Sequence, residues 1–213
     1  MKMTEIAAVC VVLLTFAASA YFYGQMPDVM ASHWNERGEV DGYMPKFWAL
    51  FLVPAVSAIM FLLLVSVPKI DPLKANVAKF RKHYDRFIVL MLTFMLYIHL
   101  LTILWGAGTS FNIVQAMSPA FGILFYYCGI LVANAKQNWF IGIRTPWTMS
   151  SENVWDKTHR LGGRLFRAAG IIAFLGILVP DYAIMIVIAP AMVFMTYAVV
   201  YSYLEHQKLQ RGK

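Results

Sequence analysis

Six apolar runs, at about 5–24, 47–67, 87–105, 119–135, 165–180 and 182–204, constrain this chain more than any other feature. Crossing about 30 Å of hydrocarbon at 1.5 Å per residue takes roughly 20 helical residues, and most of these runs approach or reach that length. They predict an all-α fold: a polytopic membrane bundle of six transmembrane helices. Composition agrees, with 60 % hydrophobic and 14 % charged residues against about 25 % charged in soluble domains. The fifth run is short unless its helix begins upstream.

The net charge of +7 takes its meaning from where the charges fall. With the amino terminus inside, the inner side receives Lys2, Lys69, Lys74, Lys79, Arg81, Lys82 and Arg86, then Lys136, Arg144, Lys157, Arg160, Arg164, Arg167, Lys208, Arg211 and Lys213. Only Arg37 and Lys46 fall outside. This bias predicts both termini in the cytoplasm of a multi-pass plasma-membrane protein. It assigns the basic surplus to anionic lipids rather than to direct nucleic-acid binding. Ala18-Ser19-Ala20 resembles a signal-peptide cleavage site, but the apolar run continues through Tyr21, Phe22 and Tyr23, so a retained first helix is expected.

The organisation expected is one membrane domain, 1–213. Residues 1–67 form a two-helix module with an outward loop at 25–46, and 68–86 an amphipathic interfacial helix on the cytoplasmic side. The third and fourth spans occupy 87–135, a cytoplasmic segment 136–167, and a C-terminal hairpin with its tail 165–213. In the outward loop Asn35-Glu36-Arg37-Gly38 and Asp41-Gly42 are turn signals, and Trp34 suits the aromatic belt. His33, Glu36 and Asp41 read either as a metal or peptide site or as a hydrogen-bonded cap on the bundle. Asp71-Pro72 reads as a helix start. Leu73, Val77, Phe80, Tyr84 and Phe87 then mark one helical face. His99 falls near mid-membrane, where an ionisable group points to a proton or substrate role or to a neutral imidazole bonded to a neighbouring helix. The fourth span is read as starting at Pro119, and Pro180-Asp181 joins the last two spans as an antiparallel hairpin. Cys10 and Cys128 sit in apolar runs as small hydrophobes. No metal-type Cys/His spacing, Walker loop or Gly-x-Ser-x-Gly occurs, so neither enzyme activity nor a cofactor is expected.

The most specific passage begins at Asn138: NWFIGIRTPWTMSSENVWDKTHRLGGRLF. Pro146 pushes Thr145 into an extended conformation, so the helix of the fourth span ends earlier, with Gly142 a place to stop. Ser150 or Ser151 caps a new helix with Glu152 in its first turn. Lys157, Arg160, Arg164 and Arg167 make a basic stripe on it, and Asp156 is spaced to pair with Arg160. Gly162-Gly163 permits a bend or the close approach of another backbone. Arg144, between Trp139 and Trp147, reads either as a planar fork for a carboxylate or phosphate or as a snorkelling lipid anchor.

This passage resembles the signature of the SdpI family, polytopic membrane proteins named for a bacterial immunity protein. The outward loop, with Pro27, His33-Trp34-Asn35, Gly38, Asp41-Gly42 and Lys46, resembles the uncharacterised module that precedes the signature in longer members. Asn138, Trp139, Gly142, Arg144, Thr145, Pro146, Trp155, His159 and Arg160 are the positions that carry the resemblance, none with a catalytic role. The resemblance implies resistance to a secreted antimicrobial peptide toxin, met on the outer face, and signalling by holding a transcriptional repressor on the inner face. The alternative carried by the residues themselves is a small-solute or ion transporter built on His99 and the proline-broken spans.

Overall fold

A computed structural model describes residues 3–211; Lys2 and Lys213, which the charge count places inside, lie outside the described residues. The helices are α1 (Met3–Phe22), α2 (Lys46–Ile70), α3 (Lys74–Lys79), α4 (Arg81–Gly106), α5 (Ile113–Asn134), α6 (Pro146–Ser150), α7 (Glu152–Ala173) and α8 (Ala183–Arg211). Of these, α1, α2, α4, α5 and α8 are long and apolar enough to cross a membrane, and the chain is an all-α, multi-pass membrane bundle. The expected fifth of six spans falls on α7, whose first half is polar and basic; it runs unbroken into a 3₁₀ turn at Phe174–Ile177. Among the described residues, five helices qualify by length and composition alone, and α7, on which the other expected span falls, is too polar in its first half to count by that measure.

Two prolines inside α2 explain how the first helices lock together. Each lacks the N–H that would bond the carbonyl four residues back, which frees the carbonyls of Leu50 (before Pro54) and Leu64 (before Pro68). Neighbouring helices supply the missing donors, as membrane burial demands. Ser19 Oγ on α1 donates to Leu50 O at 2.6 Å, and Tyr84 OH on α4 donates to Leu64 O at 2.7 Å. His99 Nε2 on α4 lies 2.8 Å from the same Ser19 oxygen.

The interfacial helix expected over 68–86 is divided. Residues up to Ile70 continue α2, α3 is a separate short helix, and α4 starts at Arg81. The apolar stripe nevertheless turns inward: Val77, Phe80 and Tyr84 are buried in one core with Ile88, Leu92, Leu131 and Trp155. Asp71 does not cap α3, whose N-cap is Leu73; its Oδ1 accepts from Leu73 N in a local turn instead.

The outward loop forms an antiparallel hairpin, β1 (Val29–Trp34) with β2 (Val40–Pro45), an addition the sequence reading lacked. Asn35 makes the turn, its Oδ1 accepting from Arg37 N and Glu39 N, while Gly38 takes φ +79°. Asp41-Gly42 is thus not a turn but part of β2, where Gly42 faces His33. Asn112 fastens the tip to the bundle by donating to Arg37 O at 2.8 Å while capping α5. That cap starts α5 at Ile113, ahead of Pro119, which lies inside the helix.

Between membrane helices the hydrophobic effect contributes little, so small residues that let backbones meet take its place. A Cβ on Gly129 of α5 would lie 2.6 Å from the Gly163 carbonyl oxygen of α7, and one on Gly170 would lie 2.6 Å from that of Gly122. The seven-residue spacing on each antiparallel helix keeps both contacts on one seam. Gly162-Gly163 therefore serves close approach rather than a bend.

Candidate functional site

The signature segment is a folded loop between α5 and α6. Asn138, fully buried, directs its first turn: Oδ1 accepts from Phe140 N (2.9 Å) and Ile141 N (2.6 Å), and Nδ2 donates to Lys136 O and Ile141 O, each at 2.8 Å. These four bonds use the whole capacity of the amide. The α5 helix ends at Asn134, with Ala135 as its cap residue, so Gly142 is not where it stops. Gly142 instead takes φ +112° in the middle of the loop, where a Cβ would lie 2.3 Å from His159 Nε2.

His159 and Trp155 hold the loop from α7. Trp155 Nε1 donates to Ala135 O at 2.8 Å, satisfying a carbonyl at the end of α5. The His159 ring stacks on the indole at 3.8 Å. Ile143 N donates to His159 Nε2 at 3.0 Å, which leaves the ring proton on Nδ1, donating to Trp155 O at 2.9 Å. The imidazole is thus neutral and doubly bonded. Burial pushes its pKa down to about 4, against smaller upward pulls from the Trp155 carbonyl and Asp156.

Thr145 caps α6 in a capping box with Thr148, with Pro146 in the first turn. Its hydroxyl also lies 3.0 Å from that of Ser202 on α8. From the other half of the chain, Asp71 Oδ2 accepts from Trp139 N at 3.0 Å and Asn76 Nδ2 donates to Gln137 O at 2.9 Å. The side chains of Asp71, Asn76, Thr148 and Ser202, with that of Gln137, whose Nε2 donates to Thr148 O and Met149 O, are thus part of the site, although sequence reading passed over them as site residues. Ser202 could have been found as one of the two aliphatic hydroxyls, with Thr196, of the apolar α8; the partners of Asp71 and Asn76 lie more than sixty positions away.

Arg144 is exposed and donates from Nη1 to Trp139 O, so part of its fork closes the loop and the rest faces out. Trp139 is 54 % exposed, and Arg160 is exposed on α7. Asp156 pairs with Lys136 at 3.2 Å rather than with Arg160. Lys157 is tied at 2.8 Å to Glu205, which Lys208 also meets at 2.9 Å.

On the outer side, His33 Nδ1 and Asp41 Oδ1 lie 2.5 Å apart across the hairpin, and Asn35 Nδ2 donates to Glu39 at 2.9 Å. Trp34 packs towards Trp105, ring centres 6.4 Å apart. Lys46, 2.8 Å from Asp28, holds that carboxyl below the usual carboxylate range by hydrogen bond and charge. Among the described residues no three His, Cys, Asp or Glu side chains are grouped to hold a metal ion. His99, fully buried, joins Ser19 rather than any other ionisable group. With the Ser19 proton committed to Leu50 O, His99 donates from Nε2.

Comparison with known proteins gives two matches along the chain. Residues 134–202 match the SdpI/YfhL protein family, and residues 10–58 match a domain of unknown function, DUF1648. The chain is 26 % identical over 210 residues to "Immunity protein SdpI" of Bacillus subtilis (strain 168), covering 98 % of this chain and 99 % of that protein. No solved structure matches. The first match runs from the last residue of α5 through the bonded loop to Ser202, whose hydroxyl meets Thr145. Over residues 134–202, this chain is similar to the SdpI/YfhL protein family.

Proposed function

We propose that this protein is an SdpI-like immunity protein of the plasma membrane, giving resistance to a secreted antimicrobial peptide toxin. The observation that carries the reading is the likeness to Immunity protein SdpI over nearly the whole of both chains, which takes in the outward hairpin as well as the signature loop. The charge bias supports six spans with both termini cytoplasmic. In that arrangement the hairpin, with His33, Trp34, Asn35 and Asp41, faces the toxin. The signature loop faces the cytoplasm, where Trp139, Arg144 and Arg160 are exposed for a partner such as a transcriptional repressor, and the basic residues there meet anionic lipids.

His99 supports a structural role rather than a transport one. Its imidazole completes a bond network that joins α1, α2 and α4 through a proline-freed carbonyl, and that is reason enough for a polar group at this depth.

The test is survival. Expressed in Bacillus subtilis cells that lack their own Immunity protein SdpI, the chain should raise survival beside toxin-producing neighbours. Unchanged survival, with the protein demonstrably in the membrane, refutes the immunity reading.

A further inference from the structure

A groove of about 670 Å³ opens on the flank of the bundle between α1, α4 and α5. Its wall is apolar, formed by Ala7, Leu90, Ile123 and Phe174 among others, and it runs along α4 from Arg86 to Thr93, about 10 Å at 1.5 Å per residue. The Arg86 end is different in kind. Arg86 is exposed, lines the groove beside Tyr127, and has no carboxylate partner among the described residues. Lys82, one turn earlier on α4, is exposed as well.

We infer that this groove is a binding site for one anionic phospholipid, its headgroup phosphate on Arg86 and an acyl chain along the apolar wall. Three features select that occupant. The groove opens towards the surrounding bilayer, so an acyl chain can enter from the side. Its wall is mostly apolar, and two of its four hydroxyls, those of Thr93 and Tyr127, already donate to backbone carbonyls. Its one charged lining residue is a guanidinium at the end where α4 begins, at the level of the basic residues Arg81 and Lys82, and a guanidinium matches a phosphate by charge and fork geometry. The inference shares the membrane placement used above but not the immunity role, so each can fail alone.

The test uses the full chain purified in detergent and titrated with phosphatidylglycerol or phosphatidylcholine, counting retained lipid by native mass spectrometry. Wild type should retain one phosphatidylglycerol in preference to phosphatidylcholine. Arg86→Gln should lower phosphatidylglycerol affinity about fivefold, equivalent to the roughly 1 kcal/mol a basic residue contributes at an anionic surface, with phosphatidylcholine unchanged. Ile123→Trp, at a half-exposed position on the wall, should lower both. Arg164→Gln, exposed on α7 and away from the groove, should change neither. The site is overturned if Arg86→Gln leaves the headgroup preference intact, if Arg164→Gln reduces it equally, or if Ile123→Trp leaves both lipids bound as before.

Discussion

Replacing Gly142 by alanine tests the core of the loop most directly. Two costs add. A side chain at φ +112° sits outside the conformations L-residues favour, at roughly 1–2 kcal/mol. The new Cβ would also lie 2.3 Å from His159 Nε2 and 3.4 Å from the Trp155 ring, so the imidazole must retreat from Ile143 N. That strands a buried donor, at roughly 1–3 kcal/mol. The total, about 2–5 kcal/mol, is a large share of a typical stability of 5–15 kcal/mol. Gly108 supplies the control: it takes φ +91°, yet its Cβ would meet nothing within 4 Å, so Gly108→Ala carries only the first cost. Unfolding in detergent, with hydrogen exchange read at the Ile143 amide, separates the two. Equal losses for both variants, or an Ile143 amide as protected in Gly142→Ala as in wild type, would refute the account of Gly142 as the residue that admits His159.

Acid should loosen the same loop. A histidine whose folded pKa is about 4 against an ordinary 6.5 binds its proton more readily unfolded; the stability it contributes is whole above pH 6.5 and lost as pH falls towards 4. The amount is roughly 3 kcal/mol, and His159→Gln should flatten that part of the pH–stability curve. Asp71→Ala removes acceptors for Leu73 N and Trp139 N and should cost roughly 1.5–3 kcal/mol per lost charged bond, with faster proteolytic nicking near Trp139; unchanged cleavage would count against the tie. Ser19→Ala strands the Leu50 carbonyl and should cost roughly 1–3 kcal/mol, whereas Ser66→Ala, an exposed hydroxyl bonded within its own helix, should be near neutral in the same unfolding assay. For function, Arg144→Ala should reduce toxin resistance while Arg164→Ala does not. Lys157→Ala is a poor comparator, because it uncovers Glu205, whose side chain is only 7 % exposed.

Sequence reading found the membrane bundle and the signature segment because both are written locally, in apolar length and in Trp, Pro, Gly and basic residue types. It misplaced what depends on distant partners. Asp71 looked like a helix cap, since Asp-Pro is a start signal; its second carboxylate oxygen belongs to Trp139, which only the fold brings near. Pro119 looked like the start of a span until Asn112 supplied an earlier cap. The hairpin escaped notice because its strands are six residues each and Asp41-Gly42, a strong turn signal, lies inside β2. Pro54, one of the prolines that break the apolar spans, is intelligible only with Ser19 and His99 beside it.

The same distinction divides the nine signature positions. Asn138, Thr145, Trp155 and His159 are buried, each with its side chain bonded to the loop, an adjoining helix end or α8; Gly142 is fixed by backbone conformation and by its contact with the His159 ring. Substituting any of these alters the loop's shape before it alters any surface. Trp139, Arg144, Pro146 and Arg160 are exposed, and of these Pro146 sets the start of α6. Under the proposed function, recognition of a partner at this loop would fall to the indole of Trp139 and the guanidinium groups of Arg144 and Arg160, with Arg144 held to Trp139 O by one of its own donors. An aromatic face beside a partly committed guanidinium suits a flat carboxylate or an extended acidic segment better than a diffuse lipid surface, which is why Arg144→Ala and Arg164→Ala are expected to part company.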